Sequence, residues 1–412
     1  FDWTPTPTRT SSSYALEGET QFNAGNMDKA IVAYQQATKD DPKNASLWAE
    51  LARIQVYSST TLITDADQEN RLQDALTSIN TAVAIAPDDS VVHAVRAFVL
   101  DWNANPTLAG DKSQQLYDEA EQEALRALQL DANNTLALAY YAEIEVDQQK
   151  WTQAQEEITA ALARNEPLMD VYRINGYVQE AFGNYNEAIT QYQKAADIAP
   201  NLTFLYLYIG YNYRQLRQWQ TALDSFNKAI NIDEQLALHN PLPYLAKAKV
   251  YTQRGDAGDM FLAALDVRAA LGYNPDNPDI YGELGVVYFK ARNYEGSIPA
   301  LQCAVSGCDA ITSCNVRFNG TCTAPDKDGI SNRSITIQGM KLSPSTVVYY
   351  YTYASVLAAM DQPAKPYCPT AIPILKQLRQ GFGSDPTIMA IIAPSEKLCP
   401  ETSGNLSSNP SP

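Results

Sequence analysis

The residue types that usually perform chemistry are sparse in this sequence. Its two histidines, His93 and His239, lie far apart, and it contains no G-x-S-x-G, no Walker-type phosphate loop and no G-x-G-x-x-G. Residues 326–329 (DKDG) match part of a calcium loop. The third ligand and the closing Glu are missing, so a plain Asp-Gly turn is favoured and bound calcium is the minor alternative. We therefore expect no enzyme activity, no cofactor and no metal site.

The six cysteines are confined to the last quarter of the chain. An even, clustered set in a Pro- and Asn-rich region predicts disulfides formed in an oxidising compartment. Zinc is the alternative, but the spacings form no paired C-x2-C units and no histidine is near. Fifteen pairings are possible; we favour Cys314–Cys322 and Cys368–Cys399, which leaves Cys303–Cys308. The cysteines are Cys303, Cys308, Cys314, Cys322, Cys368 and Cys399.

The charge and hydropathy of the chain argue against nucleic acids and membranes as binding partners. The chain has 412 residues with 30 Lys and Arg, 47 Asp and Glu, and a formal net charge of −17. A field of this sign repels phosphate backbones and anionic lipid surfaces, so we expect no nucleic acid partner. No apolar run approaches the roughly 18 residues of a membrane span.

Several features favour a location outside the cytoplasm. The chain starts with Phe1, which is typical of a protein from which a secretory signal or an anchor helix has been removed. Asn-x-Ser/Thr sequons, which matter only if the source glycosylates them, agree with exposure. They begin at Asn44, Asn133, Asn201, Asn319, Asn332 and Asn405. We expect a secreted, cell-surface or periplasmic protein.

A repeat with a period of 34 residues organises most of the chain. Ala154, Ala188 and Ala222 are each followed four residues later by a large apolar or aromatic residue and seven residues later by another alanine. Upstream, Tyr206-x2-Ile-Gly-x2-Tyr recurs as Tyr281-x2-Leu-Gly-x2-Tyr. This pattern resembles the tetratricopeptide repeat (TPR), in which each unit is a pair of antiparallel helices. Small residues mark where the helices touch, and prolines follow the second helix.

The resemblance predicts an all-α, right-handed superhelical solenoid of about nine helix pairs, with a small disulfide-bonded insert near the C-terminus. We expect a flexible tail at 1–13, the repeat array at 14–303 and the Cys-rich insert at 304–343. A degenerate repeat and a cap follow at 344–400, and a second flexible tail at 401–412. Within the insert, residues 334–338 alternate like a short strand.

The resemblance also implies a binding face, because the first helix of each TPR lines a concave groove. On three regular units we predict that Tyr177 and Tyr211 form a ladder, and that Arg173 and Arg214 pair with carboxylates of a partner. Tyr177 and Tyr211 replace the Asn of the family's carboxylate clamp, so binding of chaperone tails is not implied. The predicted ligand-binding residues are Glu143, Arg173, Tyr177, Glu180, Phe204, Leu207, Tyr211 and Arg214.

Two functions fit this sequence. The first is a non-catalytic extracytoplasmic scaffold that binds a protein, peptide or glycan in its groove. The alternative is a structural subunit that self-assembles end to end into a filament or surface layer, since solenoids stack by nature. For that alternative, Phe1 and Trp3 on the Pro-rich tail are the predicted self-association residues.

Overall fold

The structure is a computed structural model that describes residues 9–62, 64–320, 322 and 335–400. Within these residues it contains α-helices, one short 3-10 helix and two isolated β-bridges, which confirms the all-α fold class. The described residues form two compact units, unit 1 up to residue 246 and unit 2 from residue 247. The boundary falls inside a helix of the repeat array, and the two units are described separately below.

Unit 1 is built from consecutive helix pairs: α1 with α2, α3 with α4, α5 with α7, α8 with α9, α10 with α11 and α12 with α13. A 3-10 turn at Gly110–Lys112 joins the short α6 to α7. The helices are α1 Ser11–Asn23, α2 Met27–Asp40, α3 Ala45–Ser59, α4 Asp65–Ile85, α5 Ser90–Asn103, α6 Pro106–Ala109, α7 Ser113–Leu130, α8 Thr135–Asp147, α9 Trp151–Leu162, α10 Met169–Ala181, α11 Tyr185–Ile198, α12 Thr203–Gln215 and α13 Trp219–Gln235.

Unit 2 continues the pairing and ends in an extra helix. The first of its helices begins just before the unit boundary, and the last packs on α19. Its helices are α14 Leu242–Arg254, α15 Asp259–Tyr273, α16 Pro278–Lys290, α17 Tyr294–Val305, α18 Ala310–Arg317, α19 Val347–Ala359, α20 Cys368–Phe382 and α21 Pro386–Leu398.

Local signals in the sequence set the helix ends. The Asp89 carboxylate accepts hydrogen bonds from the backbone N–H groups of Val91 and Val92, which caps α5. Gly25, at φ +84°, closes the turn between α1 and α2 in the left-handed region, which costs glycine no strain. The predicted N-terminal tail is too long: Thr10 caps α1, so residues 11–13 are helical.

A glycine and a bulky residue 16 positions later recur inside the pairs. The Cβ that a side chain would add at Gly210 would lie 2.3 Å from Cε1 of Phe226. The same relation joins Gly18 to Tyr34, Gly176 to Tyr192 and Gly285 to Leu301. At each of these glycines, a ring or branched side chain from the second helix packs directly against the backbone. A side chain at the glycine position would therefore displace that neighbour.

The inner face of unit 1 closes on itself. The Tyr57 ring of α3 stacks on the Phe204 ring of α12, with centroids 5.3 Å apart and planes within 4°. The Asn201 side chain donates a hydrogen bond of 3.2 Å to the Asn23 carbonyl, joining the turn before α12 to the last residue of α1. The first and sixth helix pairs therefore meet, and large side chains occupy much of the space in which an open groove was predicted.

The C-terminal insert departs from prediction in its secondary structure. Residues 335–338 form no strand; instead Ile337 makes a single antiparallel bridge with Cys308, and α18 lies within the insert. The alternating pattern was too short to specify a strand without a partner strand. The structure places the six cysteines in the three pairs that the sequence favoured, with Cα–Cα distances of 4.6, 5.7 and 5.2 Å.

Candidate functional site

The predicted groove residues divide into two groups. Phe204 and Leu207 are buried, at 1 % and 4 % exposure, and Arg214 lies over the Tyr211 ring, 5.3 Å from its centroid. The other five line one cavity in unit 1: Glu143, Arg173, Tyr177, Glu180 and Tyr211. Their binding role stays a prediction.

Beneath this cavity, a buried carboxylate joins three helices. Asp170, at the start of α10, accepts hydrogen bonds from Arg53 Nε at 3.1 Å and Arg53 Nη2 at 2.7 Å. The hydroxyls of Tyr57 and Tyr140 donate to its Oδ1 at 2.5 and 2.7 Å. Burial alone would raise the pKa of Asp170, but the charge of Arg53 and these hydrogen bonds hold it well below its usual range. Asp170 is therefore a structural anion that ties α3 and α8 to α10.

A second buried pair forms the floor of the cavity. Arg173 donates to both carboxylate oxygens of Glu143, with distances of 2.8 and 2.5 Å. Its Nε donates to the Tyr57 hydroxyl at 3.2 Å, and the Trp102 indole N–H donates to Glu143 at 3.3 Å. Because both ions find their partners inside the protein, Arg173 has little capacity left to hold the carboxylate of a ligand.

The cavity has a volume of about 390 Å³ and lies among α5, α7, α8, α10, α11 and α12. Asn105 and Pro106 of the α5–α6 connection are exposed at its edge, so it opens to solvent. Six aromatic side chains contribute to the lining: Trp102, Tyr117, Tyr177, Tyr192, Tyr208 and Tyr211. Four carboxyl groups face it with the single guanidinium of Arg173: Asp101, Glu143, Asp147 and Glu180.

The four carboxyl groups differ in how well they are satisfied. Glu143 is paired with Arg173, and Glu180 accepts hydrogen bonds of 3.0 Å from Asn212 and Tyr192. Asp147 accepts one hydrogen bond, of 2.5 Å, from the Tyr177 hydroxyl. Asp101 is 2 % exposed, and its buried Oδ1 has no hydrogen-bond partner among the described residues.

Two of these groups consequently titrate abnormally. Burial raises the pKa of Asp101 well above its ordinary value, and the negative charges of Asp147 and Glu143 raise it further. Burial also raises the pKa of Asp147 to about 6, although the Tyr177 hydrogen bond opposes the shift. Ionisation of all four carboxyl groups would give this site more negative charge than its buried surroundings compensate.

Sequence reasoning missed part of this lining. Asp147 follows Glu143 by one helical turn, and that spacing alone was enough to place both carboxyl groups on one face. Asp101 and Trp102 lie just before the insertion between α5 and α7. The 34-residue period is interrupted there, so the groove positions of the regular repeats could not be transferred to these two residues.

The two histidines, which were the other candidates for catalysis or metal binding, lie at separate places in unit 1. His93 contacts Glu123 through Nδ1 at 2.5 Å and the Pro87 carbonyl through Nε2 at 2.8 Å. His239 lies in a separate, smaller cavity. Among residues 9–62, 64–320, 322 and 335–400, no cluster of three His, Cys, Asp or Glu is placed to hold a metal. Of the helices in this part of the chain, none has the length and hydropathy needed to cross a bilayer. Phe1 and Trp3 lie outside the described residues.

Family models identify the repeats. Models described as tetratricopeptide repeat match residues 11–44, 142–203, 205–233 and 246–309. The chain contains tetratricopeptide repeats. The matched segments include all of α10, the end of α8 from residue 142, and all of α12 except Phe204. These three helices supply the predicted TPR groove residues.

Among curated proteins, the chain is similar to anaphase-promoting complex subunit 3 of Schizosaccharomyces pombe, with 26 % identity over 167 residues. This match covers 40 % of the chain and spans 24 % of that relative's length. Solved structures that resemble the chain include yeast Tom70, with 13 % identity, a TM-score of 0.48 and coverage of 95 % of this chain and 69 % of that one. The human IFIT1 dimer with PPP-AAAA has 12 % identity, a TM-score of 0.49 and coverage of 94 % and 78 %.

Proposed function

We propose that this chain is a non-catalytic scaffold that binds a protein partner through the cavity of unit 1. TPR arrays generally bind proteins or peptides through the inner faces of their helices, and five of the residues predicted on that face surround this cavity. The cavity is the observation that carries the proposal. Because Tyr57 and Phe204 fill the adjacent inner face, the partner inserts a side chain into the cavity and does not lie along an open groove.

The test is selection of peptides from a random displayed library against the full chain, followed by affinity measurement on two variants. Tyr211→Ala removes a ring from the cavity lining, whereas Tyr213→Ala removes a ring from the same helix at a separate surface. Selected peptides are expected to lose most of their affinity for the first variant and to keep it for the second. Peptides that bind both variants equally, or a library that yields none, would overturn the proposal.

The proposal includes an extracytoplasmic location. All six cysteines lie in pairs close enough for disulfides, and such bonds persist in oxidising compartments. Mass spectrometry of the protein from its native source, alkylated without reduction, is expected to find no free thiol on the six cysteines. Alkylation of all six would contradict this location.

A second candidate function is the self-assembling structural subunit. It is favoured by two exposed apolar side chains on the first helix pair, Leu16 at 64 % and Val32 at 65 % exposure. Light scattering at matched concentrations compares the intact chain with a Leu16→Lys, Val32→Lys variant and with a chain lacking residues 1–9, which leaves the Thr10 cap of α1 intact. Assemblies that dissolve in either variant support the filament, whereas an intact chain that stays monomeric at high concentration excludes it.

A further inference from the structure

The cavity of unit 1 has little positive charge. Among the described residues, Arg173 is the one Lys, Arg or His in its lining, and its guanidinium is already paired with Glu143. Asp101 and Asp147 are therefore the carboxyl groups with unmet capacity, and the former is nearly inaccessible to solvent while having an unpartnered oxygen. A buried carboxyl group without a partner is costly, so its presence beside an open cavity points to a partner supplied from outside.

The aromatic lining favours the same kind of ligand. The faces of Trp and Tyr rings are negative and attract cations, most strongly where water is excluded. Unit 1 already uses this attraction internally: the Arg173 guanidinium lies 5.4 Å from the Tyr57 ring centroid and 5.6 Å from that of Phe98. The rings of Trp102, Tyr177 and Tyr211 also line the cavity, and the Tyr211 ring already has the Arg214 guanidinium 5.3 Å from its centroid.

We propose that this cavity binds the alkylammonium group of a lysine side chain presented by the protein partner. This inference rests on the proposed function, whose binding site it shares. A metal ion does not fit, because the described residues offer no cluster of three metal-ligating side chains and Ca²⁺ requires six to eight oxygen ligands. A neutral sugar could donate hydrogen bonds to the carboxyl groups, but it would supply no charge to offset their ionisation.

The geometry also favours ammonium over guanidinium. A guanidinium binds best to a single carboxylate through two parallel hydrogen bonds. Glu143 already makes such a bidentate pair with Arg173. The available oxygens belong to two different residues, Asp101 and Asp147. A compact ammonium with three rotatable donors can bridge two such groups.

The experiment is isothermal titration calorimetry of the full chain at pH 7.5 with three blocked amino acids: Nα-acetyl-lysine, Nα-acetyl-norleucine and Nα-acetyl-arginine methylamides. Norleucine matches lysine in its alkyl stem and lacks the charge. The lysine probe is expected to bind at least about tenfold more tightly than the norleucine probe, an order set by one buried charge interaction. It should also bind more tightly than the arginine probe. Equal binding of lysine and norleucine would overturn the inference, and preference for arginine would overturn the choice of ammonium.

Two variants assign the effect to the cavity. Asp101→Asn is expected to lower the affinity for the lysine probe about tenfold and to leave the affinity for the norleucine probe unchanged. Asp233→Asn is the control, since Asp233 is also a buried carboxyl group but lies in the separate cavity beside His239. Thermal melts monitored by circular dichroism check that both variants fold. An unchanged lysine affinity in folded Asp101→Asn would refute the assignment.

The outcome separates this inference from the proposed function. If the affinity of selected peptides depends on Tyr211 but the peptides show no preference for lysine, the scaffold function is supported and the lysine site is refuted. If no peptide is selected but the lysine probe binds through Asp101, the cation site stands and the protein-binding scaffold falls.

Discussion

We expect the buried carboxyl group of Asp101 to lower the stability of the folded chain, so its substitution should raise the free energy of unfolding. Its carboxyl group is buried with an unpartnered oxygen, and its raised pKa means that ionisation at neutral pH opposes folding. Asp101→Asn has the same shape without the charge, so we expect the free energy of unfolding at pH 7.5 to rise by about 1–3 kcal/mol. Urea unfolding measures it, with the exposed Asp118→Asn on α7 as the control. A less stable Asp101→Asn variant would mean that the carboxylate has a stabilising partner.

Gly210 gives the second prediction at the scale of single residues. A Cβ at this position would lie 2.3 Å from Phe226 Cε1, and the additional methyl groups of valine would crowd the same ring. We expect Gly210→Val to lower the free energy of unfolding by about 1–3 kcal/mol or more through overpacking. Gly272→Ala in α15 is the control, since a Cβ there has nothing within 4 Å. A Gly210→Val variant with an unchanged melting temperature would show that Phe226 moves aside freely.

These two residues mark what sequence could and could not predict at this scale. Gly210 was identified because the repeat places it at a fixed position, and a fixed position implies a fixed neighbour. Asp101 belongs to the helix before an insertion, where the period no longer relates residues to one another. Its raised pKa also depends on charged side chains of α8 and α10, which no local sequence pattern shows.

At the scale of helices, the Asp170 network links elements that are distant in sequence. Removing one partner of a buried ion pair leaves the other uncompensated, so Asp170→Asn is expected to lower the free energy of unfolding by about 3–5 kcal/mol near neutral pH. Chemical denaturation measures it, and Tyr140→Phe, which removes one hydrogen bond of the network, should cost only about 1 kcal/mol. Similar losses in the two variants would mean that Glu50, the other partner of Arg53, compensates for the missing charge.

The pH dependence of that loss has a definite sign. The pKa of Asp170 is lower in the folded than in the unfolded chain, because Arg53 and two tyrosines stabilise the ionised form against burial. Its contribution is therefore complete above the unfolded pKa of roughly 4 and disappears as the pH falls below it. The difference between wild type and Asp170→Asn should shrink between pH 5 and pH 2. A difference that stayed constant over this range would show that the charge does not contribute.

The helices themselves were predictable, whereas the closure of unit 1 was not. Turn glycines, prolines and caps act within a few residues, so they fixed where helices begin and end. Closure depends on small angles between successive pairs and on side chains such as Tyr57 and Phe204, which are 147 positions apart and stack only because those angles accumulate. One signal was present: the inward positions of α3 carry an arginine and a tyrosine, large residues that an open groove does not require.

At the scale of the whole molecule, the repeat pattern runs without interruption through the point at which the chain divides into two compact units. The period predicted one array over residues 14–303, but the chain separates into two compact units within α14. Nearest-neighbour packing explains why sequence could not show this, since each repeat carries its own pattern whatever the strength of its interface with the next. All three cysteine pairs lie in unit 2.

That placement predicts how the molecule responds to reduction. Cys368–Cys399 joins the start of α20 to the residue after α21 and closes a loop of 31 residues, worth roughly 3–4 kcal/mol in the chain-entropy model. Cys303–Cys308 and Cys314–Cys322 constrain the insert, which is too small to form a core of its own. Reduction should therefore raise amide hydrogen exchange in α18 and α19–α21 and leave α1–α13 protected, because unit 1 contains no cysteine and each helix pair of a repeat array packs mainly on its neighbours. Exchange measured by mass spectrometry with and without reductant, with unit 1 as the internal control, decides this. Loss of protection in α3, α8 and α10 on reduction would show that unit 1 depends on unit 2 for its stability.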